Sequence, residues 1–148
     1  MHKKAFRLDQ VLNYRKEMEK VRKLEFAEAK EELENASSRL KSEEEAVERL
    51  DSEFIGRQQE GITGLELQMY SFFFRKKSTD IKNQRTNVGL LDHEATRKHE
   101  TLMDASKKKR MLESLEKKSS LARQREIAEK EKALMEEIAL RGKGRHKL

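Results

Sequence analysis

Residues 56–67 read Gly56-Arg57-Gln58-Gln59-Glu60-Gly61-Ile62-Thr63-Gly64-Leu65-Glu66-Leu67 and hold three of the chain's six glycines. Thr63-Gly64-Leu65-Glu66 has the form of a capping box. The Thr63 hydroxyl accepts from the backbone N–H of Glu66, and the Glu66 carboxylate returns to the N–H of Thr63. Ile62 and Leu67 stand at the two positions of a hydrophobic staple. One helix therefore ends in this stretch and another begins, with the turn placed at about 56–64.

The segment before it, from about Lys4 to about Gln59, carries a seven-residue pattern. Phe26, Leu33, Leu40, Val47 and Phe54 form one row of it. Ala29, Ala36 and Leu50 fill the second row, with Glu43 as a polar interruption. Upstream, Val11, Tyr14, Met18 and Val21 keep the 3-4 spacing but imply a one-residue slip of frame before Phe26. The segment after the turn, about 65–141, repeats the pattern. Ile81, Val88, Ala95 and Leu102 make one row, and Leu91, Ala105 and Leu112 most of the other. Gln84 and Lys98 interrupt it. After Leu112 the frame shifts, and Ile127, Leu134 and Ile138 resume an apolar stripe. The tail from Gly142 to Leu148 has no pattern and is expected to fray.

Such a seam on each side of a tight turn predicts an all-α chain. It is a single domain over 1–148, a long antiparallel two-helix coiled-coil hairpin with a longer C-terminal helix. Helix one would be roughly 80 Å long and helix two roughly 110 Å. Residues i and j would pair where their numbers sum to about 120. The chain beyond about residue 118 would then extend as an unpaired helix.

Composition agrees. The 148 residues include no Pro, Cys or Trp, and 42% are charged against 34% hydrophobic. That leaves too little apolar material for a compact core but enough for a narrow seam. Without cysteine there is no disulfide and no thiolate chemistry. No apolar run is long enough to span a membrane, and the basic start lacks the apolar stretch of a signal peptide. The net charge of +6 is unevenly placed. Residues 1–24 hold eight basic and three acidic side chains (+5), and residues 25–60 hold five and twelve (−7). Residues 61–148 hold twenty-one and thirteen (+8). An acidic stretch flanked by basic ones suits pairing within the chain better than one nucleic-acid surface.

Few residues suggest chemistry. His93 and His99 are six apart and point to different faces of a helix, so they share no metal. Gly61-Ile62-Thr63-Gly64 lacks the lysine of a phosphate-binding loop. A helix pair offers no enclosed pocket to perturb its carboxylates. The chain is thus expected to have no enzyme activity, no cofactor and no metal, and to act by binding proteins. Tyr70, Phe72, Phe73 and Phe74 cannot all reach one seam, because consecutive helical positions are 100° apart. Either one or two pack in the seam beneath a short extra helix, or they form an exposed patch that docks a partner. The basic run Lys107-Lys108-Lys109-Arg110 and the arginines Arg7, Arg15, Arg123, Arg125 and Arg141 are either solvated or face an acidic partner.

The order of these features resembles one family. Phe6-Arg7-Leu8-Asp9-Gln10-Val11-Leu12-Asn13-Tyr14-Arg15 is similar to the N-terminal signature of the FliJ family of flagellar type III export proteins. The heptad helix, the glycine-containing turn, Tyr70 with Phe73, and Ile81 with Gln84 follow in the family's order. Glu131-Lys132-Ala133-Leu134-Met135-Glu136-Glu137 is similar to its ending, with Met135 where aspartate is common. Lys77 stands where the family usually has leucine.

The resemblance implies a non-enzymatic, cytoplasmic stalk of the flagellar export apparatus, peripheral to the inner membrane at the flagellar base. The terminal coiled coil would insert in the export ATPase hexamer through Arg7, Val11, Leu12, Arg15, Arg123, Ile127, Leu134 and Ile138. The turn end would meet the membrane export gate through Phe54, Tyr70, Phe73, Phe74 and Ile81. Export chaperones would also bind, and the chain would be a monomer or weak dimer that binds no nucleic acid. A scaffold or oligomerising rod is the alternative reading, and a basic nucleic-acid-binding helix pair a lesser one.

Overall fold

The computed structural model describes residues 2–146, with side chains over residues 8–143. It contains two α-helices, α1 (His2–Glu60) and α2 (Gly64–His146), and no strand among the described residues. The absence of proline and the dominance of Glu, Lys, Leu, Ala and Arg let both helices run without a break. Only Gly61–Thr63 is non-helical, so the link is shorter than the expected 56–64. Gly56 lies within α1. α2 also continues past the expected end at residue 141 into the segment expected to fray.

The link depends on Gly61, the one described residue with a left-handed backbone (φ 102°). Thr63 Oγ1 accepts from the Glu66 N–H at 3.2 Å, and the Leu67 N–H donates to the Thr63 carbonyl at 3.0 Å. The return half of the expected capping box is replaced. The Glu66 carboxylate instead takes Arg57 of the last turn of α1, at 3.0 Å. A charge-assisted bond to guanidinium outcompetes one to a neutral amide. Gly61→Ala is expected to lower stability by about 1–2 kcal/mol, read as a drop in thermal midpoint. A Cβ there meets nothing within 4 Å, so the loss would be one of backbone conformation alone.

The contacts divide into two compact units: residues 20–104, and Met1–Glu19 with Ala105–Leu148. In the first, which contains the turn, α1 and α2 run antiparallel. The rings of Phe54 and Tyr70 lie 5.0 Å apart, and those of Phe26 and His99 also 5.0 Å. The paired numbers sum to about 124, not 120, because the link is centred on Ile62. In this register the expected rows close on one another. That numbering sets Ala29 opposite Ala95, Leu33 opposite Leu91 and Ala36 opposite Val88, while Phe74 meets Phe54. Ile81, Ala95 and Leu102 are buried.

Polar seam residues are spread so that each finds a carboxylate or an apolar neighbour. Lys77 binds Glu43 at 2.8 Å, and Lys98 lies 3.6 Å from Glu25. The hydrogen bond to Glu43 holds the Lys77 ammonium's pKa above its usual value. Gln84 Oε1 is the one buried side-chain oxygen without a hydrogen-bond partner among the described residues.

The terminal unit repeats the antiparallel arrangement. Glu19 binds Lys109 at 2.9 Å, and Leu8 and Asp9 share a groove with Glu116 and Ser120. Its seam on α1 is Leu8, Leu12, Arg15 and Glu19, with Leu12 buried. The expected slip of frame does not occur. Val11 and Tyr14 lie outside the seam, exposed. On α2 the seam likewise keeps its frame through Ala105, Lys109, Leu112, Glu116 and Ser119. Every residue from 120 to 143 is exposed. Among the described residues no helix is long and apolar enough to cross a membrane, and no acidic, His or Cys group is placed to hold a metal.

Candidate functional site

The residues expected to meet partners fall in two regions, one in each unit, and each leaves apolar side chains uncovered. The first lies beside the turn. Helical periodicity divides its four aromatics. Tyr70 and Phe74 fall in the seam and enclose Phe54, with Phe54 and Phe74 5.7 Å apart and edge-to-face. Phe72 and Phe73 turn outward at 68% and 50% exposure. No extra helix covers them. Two rings therefore lie in the seam and two at the surface.

The outward pair is joined by Met69 and Leu65, both exposed. Leu50, Arg57, Glu66, Met69, Tyr70 and Phe73 line a groove of about 290 Å³. Its floor is apolar, and its rim is the Arg57–Glu66 ion pair. The hydrogen bond to Glu66 holds Arg57's pKa above its usual value. Desolvation, then the Glu53 carboxylate, push the Tyr70 hydroxyl upward, and that hydroxyl donates to Glu53 at 3.3 Å. Tyr70 thus keeps its proton, and its ring stays fixed against Phe54.

Of the residues expected at this end, Phe73 is open to a partner. Tyr70 lends one face to the groove, Phe54 and Phe74 lie in the seam, and Ile81 is buried. Leu65 and Met69 were not singled out, and Phe72 was weighed only within the aromatic cluster. Their 4-3 spacing was the available signal, since it marks a second stripe beside the seam.

The second region lies in the terminal unit. In an antiparallel pair, residues one place after a seam position share one flank, and residues one place before it share the other. Asp9, Ser120 and Ile127 are of the first kind, and they line one groove with Leu8, Glu116, Arg123 and Gln124. Leu134 and Ile138 continue that flank along α2, and both are exposed. Val11 is of the second kind and lies on the opposite flank. Leu12 is core, and Arg15 sits in the seam with its guanidinium 5.5 Å from the Tyr14 ring centre. Arg7 lies outside the described residues. The eight residues expected to meet one partner thus do not form one surface. Ile127, Leu134, Ile138 and Arg123 form one flank, and Val11 belongs to another.

These surfaces offer apolar contact and charge, and no His, Cys, Asp or Glu group among the described residues is placed to hold a metal. A protein-family model described as flagellar FliJ protein matches residues 3–148. No curated protein and no solved structure matches the chain.

Proposed function

The chain belongs to the FliJ family, and from that premise we propose that it is a non-enzymatic stalk of the flagellar export apparatus. Membership carries a role connected with flagellar protein export. In the proposed role, the part of the terminal unit beyond residue 120 enters the ring of the export ATPase, the turn end docks on the export gate, and export chaperones bind along the chain. The protein works in the cytoplasm against the inner membrane, as a monomer or weak dimer.

The observation that carries this reading is the run of exposed helix from residue 120 to residue 143. It presents Ile127, Leu134 and Ile138 in a row, with Arg123 and Arg141 beside them. A helix that keeps such a row uncovered is suited to a lumen lined with apolar side chains and carboxylates. Leu12 and Arg15 would act from within the seam, holding α1 against α2 so that the axle stays stiff. The experiment is direct binding of the purified chain to its export ATPase, with ATP turnover measured with and without the chain. Absence of both binding and stimulation would remove the reading.

At the other end, the groove beside Phe73 is the proposed gate contact. Phe73→Ala is expected to weaken binding to the gate's cytoplasmic domain about tenfold, in line with loss of one aromatic anchor, with circular dichroism unchanged. Phe74→Ala should instead lower stability by about 2–3 kcal/mol, because it opens the cluster around Phe54. If Phe73→Ala also lost helicity, Phe73 would be core and the groove would not be the gate contact.

A further inference from the structure

The flank of the terminal unit opposite Ile127 is also apolar, and the stalk reading does not use it. Val11 and Tyr14 precede the seam residues Leu12 and Arg15, and Met18 precedes Glu19. On α2, Met111 and Leu115 precede Leu112 and Glu116. All five therefore lie on the same side of the helix pair. Val11, Tyr14, Met111 and Leu115 are exposed and Met18 is half-buried. Met111 and Leu115 floor a groove of about 430 Å³ whose other walls are Lys107, Arg110, Ser114 and Lys118. No carboxylate lines it.

We propose that this flank seats an amphipathic helix of another protein whose apolar face is bordered by carboxylates, so that it becomes the third helix of a local bundle. The spacing sets the shape of the occupant. Residues at 11, 14 and 18 form a helical ridge, and 111 and 115 form another beside it, which is the surface a third helix packs into. The charge sets its chemistry. Lys107, Arg110 and Lys118 wall that groove on α2, with Arg110 on the edge nearer the opposite flank, so an acid-flanked helix gains attractions where a base-flanked one meets repulsions. A second copy of this chain is disfavoured for that reason, since it would set Lys107, Arg110 and Lys118 against like charges. Val11 is thereby assigned to this helix and not to the ATPase ring, and the assignment stands whether or not the ring is entered.

The test uses the full chain and two labelled helical peptides of about three heptads. They share one leucine face, and one is bordered by glutamate, the other by lysine. The glutamate peptide is expected to bind on the order of tenfold more tightly than its lysine twin. Met111→Ser with Leu115→Ser should lower its affinity by about tenfold. Arg110→Glu with Lys118→Glu should reverse the preference. All four positions are exposed, so helicity should be retained, and circular dichroism checks it. Equal binding of the two peptides, or indifference to the charge reversal, would overturn the proposal. So would sedimentation of the chain as a dimer that Leu115→Ser dissociates. Leu134→Asp with Ile138→Asp should leave peptide binding intact, which separates failure here from failure of the stalk reading.

Discussion

Replacing Leu102 by alanine is expected to lower the stability of the helix pair by about 2–3 kcal/mol, in the lower part of the range for buried leucines. Leu102 is 7% exposed, among the most buried side chains of a seam that is narrow throughout. The register sets it opposite Arg22, whose guanidinium is turned to Glu25 at 3.0 Å. Arg22 thus contributes its aliphatic stem to the layer, and Leu102 supplies most of the apolar contact there. Toward the turn, Phe26 meets the His99 ring at 5.0 Å and Lys98 lies 3.6 Å from Glu25, so the next layer is also half polar. No neighbouring layer is rich enough to compensate. Some relaxation is available because the seam is open on both flanks, which keeps the estimate below that of a fully enclosed leucine. Urea unfolding followed by circular dichroism measures the change. Leu90→Ala, on an exposed face of α2, is the control and should shift the midpoint little.

The same layers show what sequence could and could not disclose. Phe26, Leu33, Leu40, Val47 and Phe54 were legible because each is apolar and recurs at seven. Their partners Ile81, Val88, Ala95 and Leu102 were legible for the same reason. The N-terminal stretch misled because Val11, Tyr14, Met18 and Val21 also keep a 3-4 spacing. An apolar stripe implies burial only where a partner exists, and two helices bury one strip each. The frame is held by the unbroken helix, so Arg15 and Glu19 occupy the seam. Their long stems tolerate that place, and Glu19 finds Lys109. The stripe that looked like core is therefore surface. Likewise three glycines spread the expected turn over about 56–64, but only Gly61 needs a left-handed backbone, and Gly56 is carried within α1. Phe72 and Phe73 were legible as surplus to the seam, while their neighbours Leu65 and Met69 join them as a second stripe at 4-3 spacing, which the stronger seam pattern masked.

Leu134→Asp with Ile138→Asp is expected to weaken binding to the export ATPase ring on the order of 100-fold, about 2.7 kcal/mol. The argument begins from exposure. Both side chains are more than half accessible, so placing them in a partner's apolar lining gains roughly 1–2 kcal/mol each. Aspartate forfeits that gain and adds a buried charge to desolvate. The fold should be spared. Neither residue belongs to the seam, and aspartate in a helix interior costs only about 0.7 kcal/mol in propensity. The Arg141–Glu137 and Lys130–Glu126 pairs remain to support the local turns. Alanine at both sites should give an intermediate loss, because it removes apolar area without adding charge. That gradation separates docking from local unfolding, since alanine favours helix more than either native residue. Binding measured by calorimetry, with ATP turnover in parallel, decides the matter. If the double aspartate variant bound as tightly as the parent, this end of α2 would not enter the ring, and the stalk reading would have to rest on some other surface.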